Sequence, residues 1–229
     1  QGEDGVPWEL YENGYLLFKP VAGKDTLTNG LGNVIGNPLW KTEQGLKIKH
    51  VGFAGKVYAP KKSSNLFAKL RTDFNPTTFD TTNLDTSKVT DMEGMFSDLS
   101  NLINLDVSHF NTSNVTDMRN MFAGLSSLTK LDVTGFDTSK VTHMEGMFYG
   151  MSSLINLDVR HFDTSKVTNM ISMFEGMSKL TDLDVSHFNT SNVTKMGAMF
   201  YGVSNVTALD VSKFDTSKVT YIHNMFHRM

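Results

Sequence analysis

The sequence predicts an α/β solenoid, with one short parallel strand and one short helix per 26-residue coil and a β-hairpin capping its N-terminal end. Three observations predict it. Phe110, Phe136, Phe162, Phe188 and Phe214 recur at a spacing of 26, and Phe96, Phe122, Phe148, Phe174, Phe200 and Phe226 recur at the same spacing in a second column. Within each copy, a stretch of alternating apolar and polar residues precedes one whose apolar residues lie three and four apart. Near the front, Asn13-Gly14 separates two β-rich stretches.

A fixed period of this size means stacked units, none of which buries its apolar face alone. The copies run 79–104, 105–130, 131–156, 157–182 and 183–208, with a truncated sixth at 209–229. Residues 1–78 are read as an N-terminal cap, a hairpin plus a degenerate coil, and residues 79–229 as the array. The sixth copy stops five residues short, so the natural protein is expected to continue.

Each coil follows from its residue pattern. Leu105 and Val107 flank Asp106, the period of two that marks a strand with one inward face. Val115, Met118, Met121, Phe122 and Leu125 have helical spacing, with Thr116 as a candidate cap. Thr90 with Glu93, and Thr142 with Glu145, complete capping boxes. Gly124, Gly150, Gly176 and Gly202 are placed to end the helix in a left-handed conformation. Between strand and helix, Asn-Thr-Ser-Asn or Asp-Thr-Ser-Lys is a turn composition. Leu102-x-x-Leu105-x-Val107 matches the leucine-rich-repeat plan, and stacking predicts about six parallel strands. All 14 methionines fall in three columns of the inward helical face, which makes them core rather than a Met-rich binding groove.

The front is less regular. Trp8 to Phe18 reads as the hairpin, because Asn-Gly is the strongest short-range hairpin signal. Residues 22–45 read mainly as loop, with Trp40 as an anchor. Ile48-x-x-Val51-x-Phe53 repeats the strand spacing, and Leu66 to Leu70 echoes Met95 to Leu99, so residues 46–78 grade into the array. An atypical first unit is what an array needs to cover its open face.

Composition narrows the function classes. With 39% hydrophobic and 20% charged residues, the chain belongs among folded proteins. A net charge of -3 offers no basic field for nucleic acid or an anionic membrane. The absence of cysteine excludes disulfides, cysteine zinc clusters and thiol catalysis. No run approaches the ~20 apolar residues that cross a bilayer.

The repeat L-x-x-L-D-V-S-x-F-[DN]-T-S-[KN]-V-T-x-M-x-x-M-F-x-G-[LM]-S resembles the BspA-like leucine-rich-repeat surface proteins, the 26-residue branch of Gram-positive bacteria and mycoplasmas. The front is similar to that family's leader at Pro7-Trp8, Gly14-Tyr15-Leu16, Phe53-x-Gly55-Lys56-Val57 and Ser64-x-Leu66-Phe67. The resemblance implies a secreted adhesin at the bacterial cell surface, wall-attached through a region beyond these residues. It implies host matrix or epithelial proteins or glycans as partners.

No catalytic constellation accompanies the repeats, and neither an enzyme nor a cofactor is expected. There is no metalloprotease, nucleophile-elbow or phosphate-loop motif. Ser, Asp and His recur in every coil only as ladders, which lack the geometry of a triad. Asp80, Asp106, Asp132, Asp158, Asp184 and Asp210 form one column that should project from the strand's open face, ~4.8 Å apart. Their repulsion can be offset by backbone N–H groups or the hydroxyls two residues on, by a basic partner, or by a row of Ca²⁺ ions. No calcium-loop motif supports the last. His109, His161 and His187 share a column with Gly135 and Lys213, the pattern of a solvated turn position.

Two features vary in an ordered way. In the turn, Asp pairs with Lys at 85–88, 137–140, 163–166 and 215–218, while Asn pairs with Asn at 111–114 and 189–192. The co-variation predicts a clasp within each turn. The column Asn104, Lys130, Asn156, Asp182, Ala208 flanks the Asp ladder, and another reads Ser97, Ala123, Tyr149, Glu175, Tyr201, His227. Variable positions on a constant frame suit protein recognition. The candidate ligand face is therefore the strand side: Asp106, Lys130, Asp132, Asn156, Asp158, Arg160, His161, Asp182, Asp184 and His187. The expected protein is a monomeric adhesin fragment, without membrane insertion. The alternative is a spacer that presents another domain.

Overall fold

The computed structural model describes residues 6–27, 48–68 and 74–229. Trp40, loop residues 28–45 and Leu70 lie outside the described residues. The expected hairpin forms. Strand β1 (Trp8–Leu10) pairs antiparallel with β2 (Tyr15–Phe18) across a turn in which Gly14 adopts φ 83°. The Asn13 side-chain oxygen accepts the Tyr15 N–H at 3.1 Å and fixes the turn.

The hairpin leads a mixed five-stranded sheet. β2 pairs in parallel with β3 (Ile48–Phe53), β3 with β5 (Phe74–Phe79), and β5 with β7 (Asn104–Leu105). β4 (Val57–Tyr58) and β6 (Leu84–Asp85) form a second, two-stranded parallel sheet. β5 carries Pro76, which has no N–H for a ladder. The register skips there, from Ile48 opposite Phe74 to His50 opposite Thr78, and the irregularity accommodates the proline.

Beyond β7 the structure departs from expectation in two ways. The strand face does not extend as a sheet of about six strands; its last ladder contact is a single parallel bridge, Asn156 to Asp182. The expected helices are absent among the described residues. The side read as helical instead carries a run of parallel bridges, Asp91 to Asp117, Asp117 to His143, His143 to Asn169, Asn169 to Lys195 and Lys195 to Tyr221.

Backbone hydrogen bonds explain the second departure. Along this back side, alternate N–H groups leave their own coil. Those of Met92, Gly94, Phe96 and Asp98 donate to the carbonyls of Asp117, Arg119, Met121 and Ala123 at 2.7–3.0 Å. The groups between them close short local turns, such as Met95 N–H to the Met92 carbonyl at 3.2 Å. An α-helix would send every N–H to a carbonyl four residues back in the same coil. Each turn also needs a third residue with positive φ, as type II turns do. Gly94, Asn120, Gly146, Ser172, Ala198 and Asn224 supply it, at 53–59°. The same arrangement repeats over five successive coil pairs, so the coils stack at the 26-residue period.

Threonines complete the stacking. Thr116 was a candidate helix cap; its N–H and hydroxyl both donate to the Thr90 carbonyl of the preceding coil, at 2.9 and 3.1 Å. Deeper in the coil, Thr86, Thr112, Thr138, Thr164 and Thr190 are buried. The Thr112 hydroxyl donates to the Asp137 carbonyl at 3.0 Å and accepts the Asp137 N–H at 2.8 Å. That reciprocal pair satisfies a buried hydroxyl and ties one coil to the next.

One hydrophobic core runs from Val6 to Met225. The methionines line it as expected, with Met92, Met121, Met151, Met177 and Met199 fully buried, whereas Met229 is 42% exposed. Phe96, Phe122, Phe148, Phe174, Phe200 and Phe226 stack face to face at 5.7–6.2 Å, within the favourable range for aromatic pairs.

Candidate functional site

The front side, which carries the Asp ladder, is built from turns that hold their own carboxylates. Asp106 Oδ1 accepts the Ser108 N–H at 2.9 Å and the Ser108 hydroxyl at 2.7 Å. Asp132 with Thr134 and Asp184 with Ser186 repeat the pair, and Asp80 and Asp210 accept the corresponding N–H. The hydroxyl and N–H donors keep Asp106, Asp132, Asp184 and Asp210 below the usual carboxylate range. At Asp132 the neighbouring Asp106 and Asp158 oppose this, but less strongly than the Thr134 bonds favour it. Local donors therefore stabilise the charges that the ladder brings together.

Asp158 differs. Arg160 replaces the hydroxyl residue, and its Nε and Nη2 donate to Oδ1 and Oδ2 at 3.0 and 2.6 Å. The guanidinium contacts and the Arg160 N–H hold Asp158 far below its ordinary value. Around this pair lies an open groove of about 760 Å³. Asn156, Asp158, Arg160, Asp182, Asp184 and Asp210 give it a polar wall, and Ala208 and Leu209 contribute apolar surface. Four carboxylates face one guanidinium there, so the groove is acidic.

The structure thus gathers Asn156, Asp158, Arg160, Asp182 and Asp184 into one depression. Asp106, Lys130 and Asp132 lie on the same side in earlier coils and do not line the groove. His161 and His187 are exposed beside it, and His187 rests edge-on against Phe188 at 5.0 Å. His109 is held more firmly than a solvated turn position, with its Nε2 3.0 Å from the Thr81 carbonyl and its ring edge-on to Phe110. On the back side Tyr149 is 45% exposed, while Tyr201 stacks on His227 at 5.2 Å.

The co-varying turn residues make a different clasp from the one expected. The first position accepts the N–H two residues on, as in Asn111 with Ser113 and Asp137 with Ser139. The fourth position reaches another coil. Asn114 donates to the Ser87 carbonyl at 3.3 Å and accepts from Lys140 at 3.0 Å, and Asn192 does the same with Ser165 and Lys218. An Asn coil thus sits between a coil behind it and the Lys ammonium ahead. At the cap, Lys56 pairs with Asp85 at 2.7 Å. Burial raises the Asp85 pKa, but the Lys56 and Ser87 contacts outweigh it and leave the group at about 2.

A second acidic cluster lies on the back side. Asp91, Glu93 and Asp117 place carboxylate oxygens within 4.8 Å of one another. Arg119 already lies among them, with Nη2 2.6 Å from Asp117 and 3.2 Å from Glu93. Its guanidinium supplies the positive charge that the cluster requires.

The buried Thr column is what sequence reasoning missed. Its signal is present: Thr86, Thr112, Thr138, Thr164, Thr190 and Thr216 never vary within a turn whose first and fourth positions do.

The family described as "Mycoplasma protein of unknown function, DUF285" matches residues 61–158 and again residues 151–229. No curated protein and no solved structure matches the chain.

Proposed function

The chain belongs to the DUF285 family, and from that premise we propose that it is a non-enzymatic adhesin acting at the bacterial cell surface. In this reading it is a leucine-rich-repeat solenoid of the BspA-like kind, and its front side binds a host matrix or epithelial partner. The observation that carries the proposal is the acidic groove around Asp158, Arg160, Asp182 and Asp184, set on a frame whose apolar positions repeat. Such a surface favours a basic or polar partner and loses affinity with salt, because exposed charges are screened within ~8–10 Å. Its carboxylates are preorganised by their own turns.

The test is binding of the chain to matrix proteins, mucin and epithelial cells, compared with an Asp182→Asn/Asp184→Asn variant. Asn keeps the oxygen that accepts the Ser186 N–H, so the fold should persist while the charge is lost. Binding that is salt-sensitive and reduced in the variant supports the proposal. Binding unchanged in that variant, but lost on altering Tyr149 and Tyr201, moves the site to the back side. The spacer reading is favoured by one observation: the ladder carboxylates are already satisfied within their own coils. If the chain binds nothing in these assays, the spacer reading stands.

A further inference from the structure

On the back side, Tyr149, Glu175 and Tyr201 occupy one column of three consecutive coils. The backbone fixes their register. The Gly150 N–H donates to the Glu175 carbonyl and the Gly176 N–H to the Tyr201 carbonyl, both at 2.8 Å. Beneath them, Phe148, Phe174 and Phe200 stack at 5.8 and 5.7 Å, which sets the length of one coil step. In the outward column itself, the rings of Tyr201 and His227 lie 5.2 Å apart with 26° between their planes. Tyr201 therefore turns one face to the following coil and the other toward Glu175. Tyr149 is 45% exposed, and its neighbour in the preceding coil is the small, buried Ala123.

Glu175 is the odd carboxylate of this side. Glu93 pairs with Arg119 at 3.2 Å, and Glu145 accepts from Asn169 at 2.6 Å. Glu175 is half-buried and has no hydrogen bond or ion pair among the described residues. Its charge lies between a ring on the coil before and a ring on the coil after. A cation over Glu175 would be one coil step, 5.2–5.8 Å, from each ring, inside the ~6 Å reach of a cation–π contact. Tyr201 already serves as such an acceptor: Arg228, in the following coil, holds its guanidinium carbon 5.7 Å from the ring.

The surroundings also select the kind of cation. A primary ammonium is strongly hydrated, and an exposed pair with one carboxylate gains little over water. A quaternary ammonium has no N–H to satisfy, carries its charge on methyl groups, and is attracted by both ring faces and by the carboxylate. We propose that Tyr149, Glu175 and Tyr201 form a binding site for a quaternary ammonium group of the choline type. The backbone of the back side holds the stack, and this outward column is free to take a ligand. The site does not use the front groove, so it stands or falls separately from adhesion.

The test titrates choline chloride into the intact chain at constant ionic strength and follows saturation transfer from protein to the N-methyl protons. Tyr149→Leu and Tyr201→Leu should each weaken binding roughly two- to five-fold, and the two together should remove it. Glu175→Gln should weaken it by roughly two- to five-fold as well. The Tyr149→Phe/Tyr201→Phe variant keeps both rings and should retain most of the binding, which separates a lost site from a lost fold. Absence of saturation transfer overturns the proposal. So does equal binding of the neutral isostere of choline, in which carbon replaces nitrogen, or of N-acetyl-lysine amide. Binding that survives the double Leu change overturns it too, and moves the cation elsewhere, such as the acidic front groove. Phosphatidylcholine vesicles that bind the chain and are displaced by choline support the proposal and assign the group to a lipid headgroup. Choline binding without vesicle binding supports it and assigns the group to a soluble source.

Discussion

The front and back sides of one coil solve the same problem differently. On the front, residues such as Asp106 and Ser108 spend their hydrogen bonds within the coil, and the coils touch chiefly through side chains and a few bridges. On the back, residues such as Met118, Asn120, Phe122 and Gly124 direct their N–H groups to the next coil, to the carbonyls of His143, Glu145, Met147 and Tyr149. The back therefore carries the continuous ladder, and the front carries the exposed charge. Cohesion and recognition occupy different sides, which leaves the front free to vary without loosening the stack.

The largest effect should come from the back. Phe148 is fully buried and stacks between Phe122 and Phe174 at 6.0 and 5.8 Å. Phe148→Ala should destabilise by roughly 3–5 kcal/mol, and nearest-neighbour coupling should carry the loss through the whole transition. Urea denaturation measures it. A loss under ~1 kcal/mol would mean that the ring stack does not hold the coils together.

Next comes the Thr clasp that ties each coil to the next. Thr112→Val leaves the Asp137 N–H and carbonyl without their partner, at a cost of roughly 1–3 kcal/mol, whereas Thr112→Ser should restore most of it. If Val and Ser behave alike, packing rather than hydrogen bonding determines the column.

The front should show itself through pH. Asp106, Asp132 and Asp184 have folded pKa values below the unfolded value of about 3.9, so they contribute stability above it. That contribution is lost as the pH falls through the folded values, with Asp85, at about 2, among the last to protonate. Stability should therefore decline between about pH 5 and pH 2, and less steeply in an Asp106→Asn/Asp132→Asn variant, which keeps the Oδ1 acceptors. Equal pH profiles for the two proteins would remove the front carboxylates as the cause.

Much of this was legible in the sequence. The 26-residue period located the two Phe columns, the Met core and the outward Asp ladder, because inward residues recur whatever backbone carries them. The Asn13-Gly14 hairpin was legible because its geometry is local. The helix was not. Val115, Met118, Met121, Phe122 and Leu125 point inward at intervals of three and one, a spacing shared by a helix and by consecutive tight turns. The distinguishing sign was the column Gly94, Asn120, Gly146, which favours positive φ where a helix would favour alanine. The partner of the fourth turn residue was also illegible. Covariation within a coil cannot show that Lys140 reaches Asn114 in the coil before it.

Ser172 and Ala198 occupy that column at φ 54° although neither residue favours a left-handed conformation. Replacing both with glycine tests the turn ladder directly, through the free energy of unfolding. If the back side is a ladder of turns, Ser172→Gly/Ala198→Gly should stabilise the protein by about 1–2 kcal/mol, the strain relieved less the added entropy of the unfolded chain. If it were helical, the same pair should destabilise by about 1–2 kcal/mol, and that result would contradict the ladder.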